Sequence, residues 1–131
     1  ILVGINDLNG WLCKRADRKV DPKSYADYYR KMLERVRKET KAKLVLMDPF
    51  FMSRDVGSGT YRALVMEHLP EYQGVVKELA GAFDARHVAT HAMFQEQLKH
   101  VTPDRFCQEP VHPGPVGHMW MAYAWLAALG W

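Results

Sequence analysis

The sequence predicts an α/β fold, with helices layered on both faces of a parallel sheet. Three observations carry that prediction. Ile-Leu-Val-Gly-Ile at 1–5 and Lys-Leu-Val-Leu-Met at 43–47 are short apolar runs bounded by turn residues, the pattern of strands buried on both faces. Between them, Tyr25, Tyr29, Met32, Leu33 and Val36 recur at helical spacing among Lys, Arg and Glu. Strand-like and helix-like segments then alternate along the chain, which implies right-handed crossovers and parallel strands.

Each element has its own signal. Asn6-Asp7-Leu8-Asn9-Gly10 is expected to leave the first strand as a loop, and 11–20 to be irregular. Asp21-Pro22 pairs an N-cap residue with a proline at the first helical position, so a helix is expected from there to about Lys41. The second strand ends at Asp48-Pro49, and a loop runs through Gly57-Ser58-Gly59. A helical stretch from Tyr61 to Ala82 is expected to be divided by Pro70. Arg86–Thr90 reads as a weak third strand and His91–His100 as a helix. Pro103, Pro110, Pro113 and Pro115 mark 101–117 as a long loop before a closing helix, His118–Leu129. Three strands make a narrow sheet, and Ile1 opens inside one, so one or more N-terminal strands are expected to come from an upstream segment or a partner.

Composition limits the function. The 131 residues make room for a single domain. A net charge of +3, with basic and acidic residues interleaved, gives no nucleic-acid footprint. Apolar stretches are broken by Gly, Pro or His before the ~18 residues a membrane span needs. Ile1 has no basic leader ahead of it, and Cys13 and Cys107 form no CxxC pair. The expectation is therefore a cytoplasmic protein with two reduced thiols.

Two loops carry the chemistry. In open parallel sheets ligands bind beyond the C-terminal ends of the strands, where Gly4-Ile5-Asn6-Asp7 would sit. Asn6 there could donate to a developing oxyanion, or Asn6 and Asp7 could simply cap a turn. Further along, Glu109-Pro110-Val111-His112-Pro113 precedes Gly117-His118. Glu109 could accept from His112 Nδ1 and leave Nε2 free as a base, or His112 could be an exposed loop histidine beside an incidental acid. Trp11 and Phe51 fall in loops beside strand ends and could line a pocket. His87 and His91 are four apart, but no HExxH or Cys–His cluster accompanies them, and no metal is expected. Ser24, Ser53 and Ser58 lie outside any Gly-x-Ser-x-Gly elbow, so none is a nucleophile candidate.

Taken together, these loops resemble the SGNH (GDSL-type) hydrolases. Gly4-Ile5-Asn6-Asp7 is similar to the family's Gly-x-Asn-Asp block. Glu109-Pro110-Val111-His112-Pro113, with Gly117-His118 and Ala122, is similar to its last block, Asp-x-x-His-Pro followed by Gly-His and a helix. Asp48-Pro49-Phe50 and His118-Met119 bring it nearest to the acetylxylan-esterase-like branch. The resemblance covers the whole chain and corresponds to the C-terminal part of a single flavodoxin-like, three-layer domain. It implies that Asn6 is an oxyanion donor, His112 the general base and Glu109 the triad acid; Gly4, Trp11 and Phe51, beside the strand ends, are the residues expected near substrate. The family carries Asp where this chain has Glu109, one methylene longer. Its Gly-Asp-Ser nucleophile block precedes the Gly-x-Asn-Asp block, so the resemblance places the serine outside residues 1–131. The implied activity is hydrolysis of small acyl esters, acetyl groups on xylo-oligosaccharides among them, with no cofactor. The implied partners are that substrate and either a second copy of the chain or a complementing N-terminal segment. The competing reading is a non-catalytic remnant serving as a binding or assembly module.

Overall fold

In the computed structural model, which describes residues 1–17, 19–57 and 59–131, Asp21 caps helix α2 (Pro22–Glu39) by accepting from Ser24 N–H at 2.8 Å. Such a cap is worth about 1 kcal/mol. Tyr25, Tyr29 and Leu33 face inward as the helical spacing requires, while Met32 remains 37% exposed. The chain then enters strand β1 (Val45–Met47), followed by α3 (Tyr61–Ala82), β2 (Arg86–Val88) and α4 (Thr90–Gln97). β1 and β2 pair in parallel, with Val45 opposite Arg86, Leu46 opposite His87 and Met47 opposite Val88.

The first segment departs from expectation. Only Leu2 pairs as a strand residue, in a parallel bridge to Met47 on the other side of β1. Ile1, Leu2 and Val3 are 39%, 36% and 41% exposed rather than buried on both faces. The expected loop after them is helix α1 (Ile5–Leu12), so Trp11 lies on a helix. The reason is Gly4, which turns the chain at φ 120° and ψ −29°. That region is closed to other residues, and the turn lets Leu8 reach the core.

A Cβ on Gly4 would also lie 2.9 Å from the Tyr25 hydroxyl and 3.3 Å from Pro49 Cβ. Gly4→Ala combines backbone strain with overpacking, and we expect it to cost about 3 kcal/mol in urea unfolding. Gly74→Ala is the control: a Cβ there meets nothing within 4 Å, so it should stabilise α3 by about 0.5–1 kcal/mol.

α3 runs unbroken through Pro70. A proline removes one N–H, but Pro70 faces solvent, and Val65, Leu69, Tyr72 and Val76 anchor the turns on either side of it. The proline-rich 101–117 segment is also more ordered than a loop. It forms a 3₁₀ turn (Pro103–Arg105), then an antiparallel hairpin of β3 (Cys107–Glu109) and β4 (His112–Pro113). The closing helix α5 (Pro115–Ala128) starts at Pro115, three residues before the expected His118, because proline is pre-set for the first helical position.

The apolar interior has two parts. Leu8, Tyr25, Leu33, Leu46, Val65, Tyr72 and Val76 belong to a cluster shared by α1, α2, β1 and α3. Phe94, Leu98, Phe106 and Cys107 form a second one, with Trp120 of α5 packed against it. The buried strap Phe50-Phe51-Met52 joins them, Phe51 facing the first cluster and its two neighbours the second. The architecture is a mixture of helices with two small sheets. No helix among the described residues is long and apolar enough to cross a membrane.

Candidate active site

The hairpin makes the Glu109–His112 pair. The two residues are directly opposed across β3 and β4, and opposed residues project to the same face. Glu109 Oε1 and His112 Nδ1 are hydrogen-bonded. With side chains 53% and 81% exposed, the contact is worth under ~1 kcal/mol of stability. Its effect is orientation: a carboxylate on Nδ1–H fixes the tautomer and leaves Nε2 as a free acceptor facing solvent.

Three contacts hold the hairpin. The turn carbonyl of Pro110 accepts from Met52 N–H at 2.9 Å, and Phe106 O accepts from Gly114 N–H at 2.6 Å. Gly117 lets α5 lie against the hairpin, since a Cβ there would sit 2.8 Å from both Phe106 O and Pro113 Cβ. That carbonyl is already bonded and cannot give way freely. Gly117→Ala is therefore expected to cost about 2 kcal/mol and to shift the amide resonances of 106–114 in ¹H–¹⁵N spectra. A silent spectrum would mean that α5 does not set the hairpin's position.

Asn6 occupies the exposed first turn of α1, where backbone N–H groups have no helical partner and favour negative charge. Its neighbour Ile5 and His112's neighbour Val111 pack against the same core cluster. Gly4 meets Pro49, and Pro110 meets Met52. Both candidate loops thus brace on the segment just beyond the C-terminal end of β1. Asp7, one residue on, has its carboxyl pushed up by burial.

The other candidates are placed differently. Phe51 is 4% exposed, in a buried strap rather than a loop at a pocket mouth. Trp11 packs edge-on to His68 of α3, ring centres 5.1 Å apart. Ser53 is buried and accepts from Asp55 N–H, Ser24 lies in the first turn of α2, and Ser58 is outside the described residues. Both cysteines are free thiols, Cys13 exposed and Cys107 buried. A cleft of about 220 Å³ opens beside Glu109, lined by Met52, Arg62, Asp104, Cys107 and Gln108.

The sequence reading missed a second acid–imidazole pair. Asp48, 6% exposed at the end of β1, accepts from His87 Nε2 at 2.6 Å. Burial raises its carboxyl and the His87 contact pulls it back. The parallel register, with His87 opposite Leu46, is the signal that would have found it. His91 lies on α4 and accepts from Phe51 N–H at 3.3 Å through Nδ1.

No protein-family profile matches the chain. An acetylxylan esterase of Geobacillus stearothermophilus is 31% identical over 133 residues, 99% of this chain and 58% of the relative. The chain is a homologue of that acetylxylan esterase. The structure of Axe2, an acetylxylan esterase from the same organism, superposes with a TM-score of 0.84 at 28% identity, over 100% of this chain and 58% of that one. LAE5, an α/β hydrolase from the metagenome of Lake Arreo, Spain, superposes with a TM-score of 0.83 at 24% identity, over 98% and 57%; it supports the fold alone. The homologue thus spans about 58% of the length of the esterases it matches. Structures of Axe2 include catalytic mutants in which a serine, an aspartate or a histidine is changed to alanine. The aspartate and the histidine are three positions apart, and the serine lies far ahead of them.

Proposed function

We propose that this chain carries the acid–base half of a serine esterase that hydrolyses small acyl esters, acetyl groups on xylo-oligosaccharides being the preferred substrate. The observation that carries the reading is the Glu109–His112 hydrogen bond on a chain homologous to an acetylxylan esterase. Its three-residue spacing equals that of the acid and histidine altered in the Axe2 catalytic mutants.

We place the nucleophile outside residues 1–131. In Axe2 the serine stands farther ahead of the aspartate than Ile1 stands ahead of Glu109 here. Among the described residues no serine hydrogen-bonds His112. The exposed edge at Ile1–Val3 beside β1 is where we seat the segment bearing Gly-Asp-Ser, as further strands of a parallel, three-layer sheet. A second copy of the chain is the other occupant of that edge, and the free thiols suit a cytoplasmic setting.

The mechanism follows from the groups present. His112 Nε2 takes the serine proton as Oγ attacks the acetyl carbonyl. Glu109 holds Nδ1–H and balances the imidazolium that forms. The Asn6 amide, in the first turn of α1 where the helix N-terminus favours negative charge, stabilises the oxyanion. Collapse breaks the ester C–O bond, and His112 returns the proton to the leaving sugar hydroxyl. Water then repeats the sequence on the acyl-serine, releasing acetate and the free serine.

The test is Asn6→Ala in the protein that includes the Gly-Asp-Ser segment. The expected kcat falls about 10²–10³-fold with KM little changed. An unchanged kcat would remove Asn6 from the mechanism.

A further inference from the structure

The strap between the two cores has a backbone accounting problem. Phe50, Phe51, Met52 and Ser53 are 5%, 4%, 0% and 2% exposed, yet they pair with no strand. Buried backbone groups need partners; Ser53 N–H donates to Phe51 O at 3.1 Å within the strap, and side chains of one helix supply further partners. Gln95 Nε2 donates to Phe51 O at 3.3 Å and to Ser53 O at 3.1 Å, using both amide hydrogens. His91, four residues earlier on α4, accepts from Phe51 N–H. Burial lowers its imidazole to about 4, so it stays neutral and keeps the lone pair that bond requires.

The residue these bonds enclose is Met52, whose N–H donates to the Pro110 carbonyl at 2.9 Å. Pro110 immediately follows Glu109 and opens the turn to His112. We infer that Gln95, with His91 one turn before it, is a positioning residue for the Glu109–His112 pair, acting through the strap. Neither side chain touches the pair. Gln95 holds the carbonyls on either side of Met52, His91 holds the Phe51 N–H, and Met52 sets the height of the turn. A misplacement of about 1 Å is enough to cost a catalytic group roughly 10²-fold.

The kinetic consequence rests on the esterase reading; the geometric claim is tested without it. In residues 1–131, imidazole ¹⁵N spectra report which nitrogen of His112 carries the proton. Gln95→Met keeps the side chain's length and removes both donors. Gln95→Asn keeps the donors but falls one methylene short. Gln97→Met, on the same helix, is the control. The expected result is that His112 in the native chain is mainly the Nδ1–H tautomer, and that both Gln95 variants lose that dominance while Gln97→Met keeps it. Gln95→Asn decides the matter if Gln95→Met fails to fold. A folded Gln95 variant with an unchanged His112 spectrum overturns the inference. In the protein bearing the serine segment, the same variants should lower kcat about 10–10²-fold with KM within about twofold. A tautomer change without a change in kcat would overturn the esterase reading and leave the positioning role standing.

Discussion

Replacing His112 by alanine is expected to lower acetyl-ester turnover about 10⁴–10⁶-fold in the protein that includes the nucleophile. The size follows from the number of jobs assigned to one ring. In the proposed mechanism His112 Nε2 removes the serine proton, returns it to the leaving alcohol and repeats both acts in deacylation, so its loss would disable every step. Glu109→Gln should cost far less. Its side chain is 53% exposed, so water can take over part of the contact to Nδ1, and the loss should fall well short of the about 10⁴-fold seen when a buried triad aspartate is neutralised. Steady-state kinetics on p-nitrophenyl acetate separate the two. Equal losses would mean that the carboxylate does more than orient the ring.

The second large effect is on stability in acid. Burial lowers the His91 imidazole from its ordinary 6.5 to about 4 in the folded chain. Between those values the unfolded chain binds a proton at His91 that the folded chain refuses. Stability from this residue is therefore complete above pH 6.5 and is lost as pH falls towards 4, by about 3 kcal/mol over the window. Asp48 opposes it: its raised carboxyl lets the folded chain hold the extra proton just above the ordinary carboxylate range, which favours folding as pH falls. A difference measurement isolates His91. Urea unfolding at pH 7, 5.5 and 4.5 should show a steep loss in the native chain and a loss shallower by about one proton in His91→Gln. Parallel slopes would show that the imidazole is not held neutral by the fold.

Much of this was legible in the residues. Asp21-Pro22 marked the start of α2 because capping is local chemistry, and Val45–Met47 of the apolar run became a strand, with Leu46 buried and Val45 and Met47 half-buried. Glu109 and His112 were legible as a pair because a three-residue spacing brings them together whether the segment is a turn or a hairpin. The failures share a cause: contacts distant in sequence overrode local pattern. Gly4 looked like the interior of a strand, but its positive φ, set against Tyr25 and Pro49, starts a helix instead. Pro70 looked like a breaker, but the anchors around it lie in a core built by three other elements. The prolines of 103–115 suggested a structureless loop, whereas Pro110 opens a hairpin turn fastened by Met52. The Asp48–His87 pair needed the register of β1 against β2, which no local motif encodes.

The central claim is that residues 1–131 hold the acid, the base and an oxyanion donor of an esterase whose serine comes from outside them. The measurement that tests it most directly is p-nitrophenyl acetate hydrolysis by residues 1–131 alone, beside the same residues joined to a segment bearing Gly-Asp-Ser. The isolated chain should hydrolyse the ester no faster than free imidazole at equal concentration, and the joined protein should turn over with a burst of one equivalent that is lost in His112→Ala. Robust turnover by the isolated chain, abolished by Ser53→Ala or Ser58→Ala and indifferent to His112→Ala, would contradict the account.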